Sequence, residues 1–166
     1  MVFATRHGEV VRSRRLLDAI RAGEPMSPTE FGLSVHNAIA ALYSIIRRER
    51  GNYTAVAAGR LTAEAAVVEA AGLMADGAAE VLVVVYDAPL PASYASFADE
   101  PDPCYAWAWR IGGVADEGER LTLCPDEQPA ADLPESGLPW GLDVLRFVLS
   151  GDEYLVRPGW RWQRHA

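Results

Sequence analysis

Residues Asn52 to Val85 read NYTAVAAGRLTAEAAVVEAAGLMADGAAEVLVVV, and the order of textures in that stretch decides the fold. Asn52-Tyr53-Thr54-Ala55-Val56 is a short extended run. Ala57-Ala58-Gly59 turns it into a helix. Leu61, Ala65, Val68 and Gly72 recur along that helix with few polar positions between them, which predicts burial nearly all round. Gly77 suits a helix C-cap, because glycine takes positive φ without steric cost. Val81-Leu82-Val83-Val84-Val85 is a continuous apolar run, mostly β-branched. Such runs are covered on both faces, the habit of a parallel sheet. Strand, turn, helix and strand together predict a right-handed βαβ crossover.

Working outward, Val2 to Thr5 reads as a short strand. Glu9 to Ala22 is helical, with Val10, Leu16, Leu17 and Ile20 as an incomplete apolar stripe and Gly23 as its stop. Ser27-Pro28-Thr29-Glu30 has the form of a capping box with proline at the first helical position. Positions 35, 38, 39, 42, 45 and 46 repeat at helical spacing, so a helix is expected from Val35 to Arg50, stopped by Gly51. Pro89, Pro91, Pro101 and Pro103 mark an irregular loop. Tyr105 to Ile111 alternates as a strand, Gly112 to Gly118 reads as a turn, and Leu121-Thr122-Leu123 as its return strand. Pro125 to Pro139 reads as an exposed loop, Leu142 to Leu149 as a short amphipathic helix ended by Gly151, and Tyr154 to Trp162 as a final strand.

A chain of 166 residues with 50% apolar and 23% charged residues suits one globular domain. The formal net charge of -8 argues against nucleic-acid binding by bulk electrostatics. No stretch is long and apolar enough to span a bilayer, and the first residues lack the layout of a secretion signal, so a cytoplasmic protein without membrane attachment is expected. Cys104 and Cys124 lack metal-ligand spacing and read as free, buried thiols.

The residues around Val56 also resemble a family, the β-ketoacyl synthases of the thiolase fold. Those enzymes read roughly Asn-x-Thr-x-x-Thr-Ala-Cys-x-x-Gly around their nucleophile, and Thr54-Ala55-Val56-Ala57-Ala58-Gly59 is similar, with valine in the place of the cysteine. Ser27-Pro28, Asn37-Ala38, Ser44-Ile45 and Gly51-Asn52-Tyr53-Thr54 match the approach to the nucleophile. Asp76-Gly77-Ala78-Ala79-Glu80-Val81 resembles the entry to the next strand. The resemblance covers residues 1–95, and 96–166 reads as a family-variable extension of the same single domain. Phe3-Ala4-Thr5-Arg6-His7-Gly8-Glu9 and Leu33-Ser34-Val35-His36-Asn37-Ala38 look closest to short, chain-length-factor-like members of aryl polyene and related lipid pathways. The implied fold is α/β: a partial thiolase-like half-fold, layered, with a mainly parallel buried sheet plus a C-terminal β-hairpin and irregular extension.

In the family the cysteine sits where a strand turns into a helix, and the helix N-terminus favours the thiolate used for acyl transfer. Val56 has no group to ionise or acylate. Removing a nucleophile from a concerted set costs about a millionfold. The resemblance therefore implies a subunit without condensing activity of its own, and no metal or cofactor. It would pair with an active β-ketoacyl synthase in aryl polyene, polyketide or specialised fatty-acid biosynthesis and bias chain length. Asn52, Tyr53, Thr54, Ala55 and Val56 would form the partner or dimer interface, because the strand before the nucleophile pairs across the dimer axis in thiolase folds. His36, Asn37 and Gly59 are candidates for an acyl pocket, with local capping as the plainer reading of the first two. Two alternatives stay open: an acyltransferase using a displaced nucleophile such as Cys104 or Ser34, and a stand-alone homodimer binding acyl carrier protein. His7 and Glu9 are a weaker acid–base candidate. Arg157, Arg161 and Arg164 could meet an acidic carrier protein or form a solvated strand edge. Trp107, Trp109, Trp160 and Trp162 read as core positions on strand faces.

Overall fold

The computed structural model describes residues 1–113, 120–126 and 136–165. The expected turn between Gly112 and Gly118 and the expected loop between Pro125 and Pro139 fall largely outside these residues. Three parallel strands, β1 (Val2–Ala4), β2 (Thr54–Val56) and β3 (Glu80–Asp87), are joined by the antiparallel β4 (Tyr105–Gly112) in the order β2-β1-β3-β4. The crossover from β2 to β3 through helix α4 (Thr62–Ala75) therefore steps over β1, which lies between the two strands.

Alternation along each strand sorts the side chains by face. Val2 and Ala4, with Val81, Val83 and Val85, join Ala63, Ala66 and Ala70 of α4 in the main core. Phe3 points the other way and meets Tyr43 at 5.6 Å between ring centroids. Tyr43 belongs to α3 (Ala38–Arg47), which buries Ala38 and Ala40. The β3 run is thus covered on both faces, though unequally: 81, 83, 85 and 87 are buried and 82, 84 and 86 half-buried.

Helix α4 departs from the expected all-round burial. Thr62, Ala63, Glu64, Ala66 and Ala70 are buried, whereas Val68 is 45% exposed and Ala71 and Gly72 lie on the surface. Small apolar residues all round a helix do not reveal which faces have a neighbour. Helix α1 (Val10–Ala22) ends at Gly23 in the left-handed conformation, as expected. In α2 (Pro28–Gly32) only half of the capping box forms. Ser27 Oγ accepts from the Glu30 N–H at 3.3 Å, and the Glu30 carboxylate instead takes Arg12 at 2.7 Å.

Helix α3 begins at Ala38, later than Val35, and stops at Arg48, earlier than Gly51. Arg48 takes the left-handed conformation with φ 53°, alone among the described non-glycine residues in having positive φ. Left-handed backbone crowds a Cβ against the following carbonyl. Arg48→Gly is expected to raise stability by about 0.5–1 kcal/mol, after the extra chain entropy of glycine is subtracted; urea denaturation reads this directly.

The C-terminal part holds an antiparallel hairpin, as the expected fold class has it, but not the one expected after β4. Strand β5 (Arg120–Asp126) does not return beside β4. It pairs with β7 (Gly159–His165), which also pairs with β6 (Tyr154–Arg157), in a separate antiparallel sheet of order β5-β7-β6. The expected single tail strand is thus two, folded at Pro158-Gly159, where Gly159 has φ 80°. The second sheet meets the first through its indoles: Trp109 of β4 lies 6.0 Å from Trp162 of β7 and 4.8 Å from Trp107 of its own strand, both edge-on. Helix α5 (Trp140–Ser150) completes that layer with Val144 and Phe147.

Candidate functional site

Val56 ends β2, and its carbonyl accepts the Thr5 N–H at 3.2 Å. The chain then turns through Ala57, Ala58 and Gly59, the last at φ 58°, and enters α4 at Thr62. Thr62 Oγ1 closes the turn: it accepts from the Ala58 N–H at 3.0 Å and donates to the Gly59 carbonyl at 2.6 Å. Val56 thus stands at a strand end that leads into a buried helix, separated from it by a short exposed turn. Its outer neighbour is absent, since β2 is an edge of the sheet among the described residues.

Thr5 ties this turn to the other candidate residues. Its carbonyl meets His36 Nε2 at 3.0 Å, so one backbone unit touches both Val56 and His36. Its hydroxyl donates to Asp87 Oδ1 at 2.8 Å and accepts from the Gly8 N–H at 3.0 Å. A Cβ on Gly8 would stand 2.9 Å from the His36 ring, and Gly8 has φ 56°, so the His36 contact requires glycine there. Asn37 flanks α3 without a side-chain cap bond, and both His36 and Asn37 precede the helix, where a place in its first turn was expected.

Asp87, buried at the end of β3, gathers the loop after β1. Beyond Thr5 it accepts from the backbone N–H of Arg6 at 2.9 Å and, more weakly, of His7 at 3.4 Å. The Tyr105 hydroxyl reaches its other oxygen at 3.4 Å. Burial, followed by the charges of Asp87 and Glu100, drives the Tyr105 phenol well above its ordinary range, so it serves as a donor. Arg6, Asp87, Glu100 and Tyr105 line a small polar cleft with room for little more than one water. It lies at the carboxyl ends of parallel strands, where open α/β sheets hold their ligands.

A ribbon of charges runs from this cleft past the Val56 turn. Arg6 pairs with Glu100, and with Asp99 at 2.6 Å. Glu100 also accepts the Trp140 backbone N–H at 2.9 Å and lies 3.7 Å from Arg60, which follows Gly59. The Arg60 guanidinium stacks 3.9 Å from the Trp140 ring centre, and Arg157 approaches the same ring at 5.0 Å. Arg157 in turn forms a buried pair with Asp143. Thr5, Asp87, Glu100 and Arg60 were not among the residues expected from sequence. Thr5 and Asp87 carried a signal, as polar residues directly ending the buried strands β1 and β3; Glu100 and Arg60 carried none.

Several sequence-based expectations meet a correction here. Arg157 is buried against Asp143 and so lies on no solvated edge, whereas Arg161, 42% exposed, pairs with Asp126 at 2.7 Å, and half-buried Arg164 donates to the Asp152 and Phe147 carbonyls at 2.9 and 2.7 Å. Cys104 and Cys124 are exposed, not buried. Glu9 turns to Arg12 at 3.4 Å rather than to His7. No group of His, Cys, Asp and Glu among the described residues could hold a metal ion, and no described helix is long and apolar enough to cross a membrane.

Glu64, one helical turn beyond Arg60, is fully buried. Its Oε1 accepts Trp162 Nε1–H at 3.1 Å, and Oε2 has no partner. Burial holds this carboxyl above its ordinary value of 4.5, against the opposing pull of Trp162 and Arg157. The folded state therefore binds the proton more tightly than the unfolded chain. The resulting stability is complete below the unfolded value and declines as pH rises toward the folded one. Glu64→Gln is expected to flatten that decline above the ordinary carboxylate range, as read from denaturation midpoints at each pH.

The family described as β-ketoacyl synthase, N-terminal domain, matches residues 1–163. Among solved structures, a chain of the complex titled ketosynthase (ApeO) with its chain length factor (ApeC), from Xenorhabdus doucetiae, superposes with a TM-score of 0.82 at 28% identity. The match covers 98% of this chain and 68% of that one. No curated protein matches in sequence.

Proposed function

This chain belongs to the β-ketoacyl synthase N-terminal domain family, and from that premise we propose that it is a non-catalytic subunit of the chain-length-factor type. It pairs with an active β-ketoacyl synthase in aryl polyene, polyketide or specialised fatty-acid assembly, shapes the acyl tunnel at the shared interface, and receives substrates carried on an acyl carrier protein. One observation carries the reading. Strand, turn and α4 form around Val56 as the resemblance implies for the nucleophile position, and the valine side chain offers nothing to ionise.

The edge position of β2 supports the pairing. Thr54 to Val56 present unpaired backbone groups on their outer side, the usual template for strand addition. The structural neighbour with a TM-score of 0.82 comes from a two-subunit complex, which favours a synthase as the partner over a second copy of this chain. Co-expression with an active β-ketoacyl synthase from the same source tests the proposal. The two proteins are expected to co-purify, and omission of this chain is expected to shift the lengths of the acyl products. Failure on both counts ends the proposal. A stable acyl adduct on Cys104, seen by intact mass after incubation with acylated carrier protein, would replace it with the displaced-nucleophile alternative.

A further inference from the structure

The buried Glu64 carboxyl uses one oxygen, on the Trp162 indole N–H, and its Oε2 has no hydrogen-bond partner among the described residues. A second unused group lies in the same core. Arg157 gives one terminal nitrogen to Asp143 and the other to the Val156 carbonyl at 3.2 Å, while its Nε–H is unpaired. Arg157 is also the cation whose charge acts on Glu64. Buried donors and acceptors are nearly always paired, and these two are complementary to each other.

The other charges around Glu64 are few. Helix α5 brings Asp143, bound to Arg157, and the loop before β4 brings Glu100, whose charge opposes ionisation of Glu64. Arg60, one turn earlier on its own side, is stacked on Trp140. Strands β1 and β2 carry no titratable side chain, and β7 offers the neutral Trp162. Strand β3 adds Val81, Val83 and Val85 to that core, with Asp87 held at its end by Thr5 and Arg6. Arg157 can change carboxylates without stranding either side. Asp143 keeps Arg146 at 2.7 Å, and Arg157 keeps the Val156 carbonyl.

We propose that Glu64 is a proton-controlled switch that decides which carboxylate holds Arg157. Neutral, Glu64 leaves Arg157 to Asp143. Once its proton has passed to solvent, the carboxylate draws the guanidinium across, and a local charge change becomes a choice between two packings. One ring carries the movement to the surface. Trp140 has Arg157 at 5.0 Å and Arg60 at 3.9 Å, and Arg60 directly follows Gly59 in the turn after Val56. Displacement of Arg157 re-seats Trp140 and slides Arg60, so the proton on Glu64 sets the shape of that turn. The switch belongs to this chain alone and is independent of any pairing with a synthase.

The experiment is a pH titration of the full chain, read by fluorine NMR of fluorotryptophan-labelled protein together with the Gly59 amide resonance. Trp162, Trp140 and the Gly59 amide are expected to shift with one common midpoint above 4.5, the ordinary glutamate value. Glu64→Gln is expected to abolish all three shifts, with its melting curve retained. Asp143→Asn is expected to lower the midpoint by about one pH unit, because Arg157 then has no competing carboxylate. A Trp162 resonance that titrates while Trp140 and Gly59 stay fixed overturns the proposal, since Glu64 then ionises without moving Arg157. The absence of any shift in the three while the chain remains folded overturns it too. Both readings come from the wild-type chain and need no variant to fold. Shifts of Trp140 and Gly59 that survive in Glu64→Gln, or a midpoint unmoved by Asp143→Asn, likewise refute the exchange.

Discussion

Trp162→Ala is expected to lower the unfolding free energy by about 3–5 kcal/mol, the usual range for emptying a buried aromatic site. The indole is 2% exposed and touches three layers. It stands edge-on to Trp109 of the first sheet, 6.0 Å between centroids, and 6.4 Å from Phe147 of α5. Its N–H holds Glu64 on α4. Truncation leaves a cavity and also strips the buried Glu64 carboxyl of its one hydrogen bond. Trp162→Phe divides the two contributions. It keeps most of the packing and is expected to cost about 1–3 kcal/mol for the carboxyl left unsatisfied. Urea denaturation of both variants, with the Glu64→Gln background as the second arm of a double-mutant cycle, measures the coupling. A loss below about 1 kcal/mol for the alanine variant would mean that the two sheets do not pack on each other through this ring.

Asp143→Ala is expected to cost a similar amount, about 3–5 kcal/mol, for an electrostatic reason. Arg157 is 4% exposed, and Asp143 at 2% is its charge partner. Removing the carboxylate strands a guanidinium in a buried setting, left with the Val156 carbonyl at 3.2 Å and the Trp140 ring. The companion variant Asp143→Ala with Arg157→Met is expected to recover most of the loss, because a buried pair replaced by apolar groups is often near neutral. The pH dependence has a defined sign. Burial alone would raise the Asp143 carboxyl, but hydrogen bonds from Arg146 and Arg157 outweigh it and hold the group below its ordinary range. Its stabilisation is therefore present above the unfolded value and lost as pH falls through the folded one. Wild type is expected to lose stability on acidification more steeply than the double variant.

The sheet core was legible because its signals are local. A continuous apolar run at Val81 to Val85, an extended run ending at Val56 and a glycine turn at Gly59 each constrain their own backbone, and all three elements form. Val56 was placed correctly at a strand end because glycine and small residues after it leave little else possible. The pairing of β5 was not legible. Leu121-Thr122-Leu123 reads equally well as the return arm of a hairpin or as a strand of a second layer, and the choice depends on where Trp162 comes to rest, about forty residues on. Helix α3 was overextended for a related reason. The apolar period continues through Ile46, but those last side chains have no neighbour to bury them, and the backbone turns at Arg48. The charge ribbon of Arg6, Glu100, Arg60 and Trp140 joins four separate segments, so no spacing in the sequence announces it.

The order β5-β7-β6 sets a timetable for biosynthesis. The middle member of that sheet is also its last to be made. A nascent chain that has emerged only as far as Pro158 carries β5 and β6 with no ladder to join, and Trp109 and Phe147 lack the indole that covers them. Such a chain keeps apolar surface bare until residues 159–165 leave the ribosome and join both flanks at once. Synonymous codons that slow translation just before Gly159 would lengthen that exposed interval, whereas pauses after β4 would leave it unchanged.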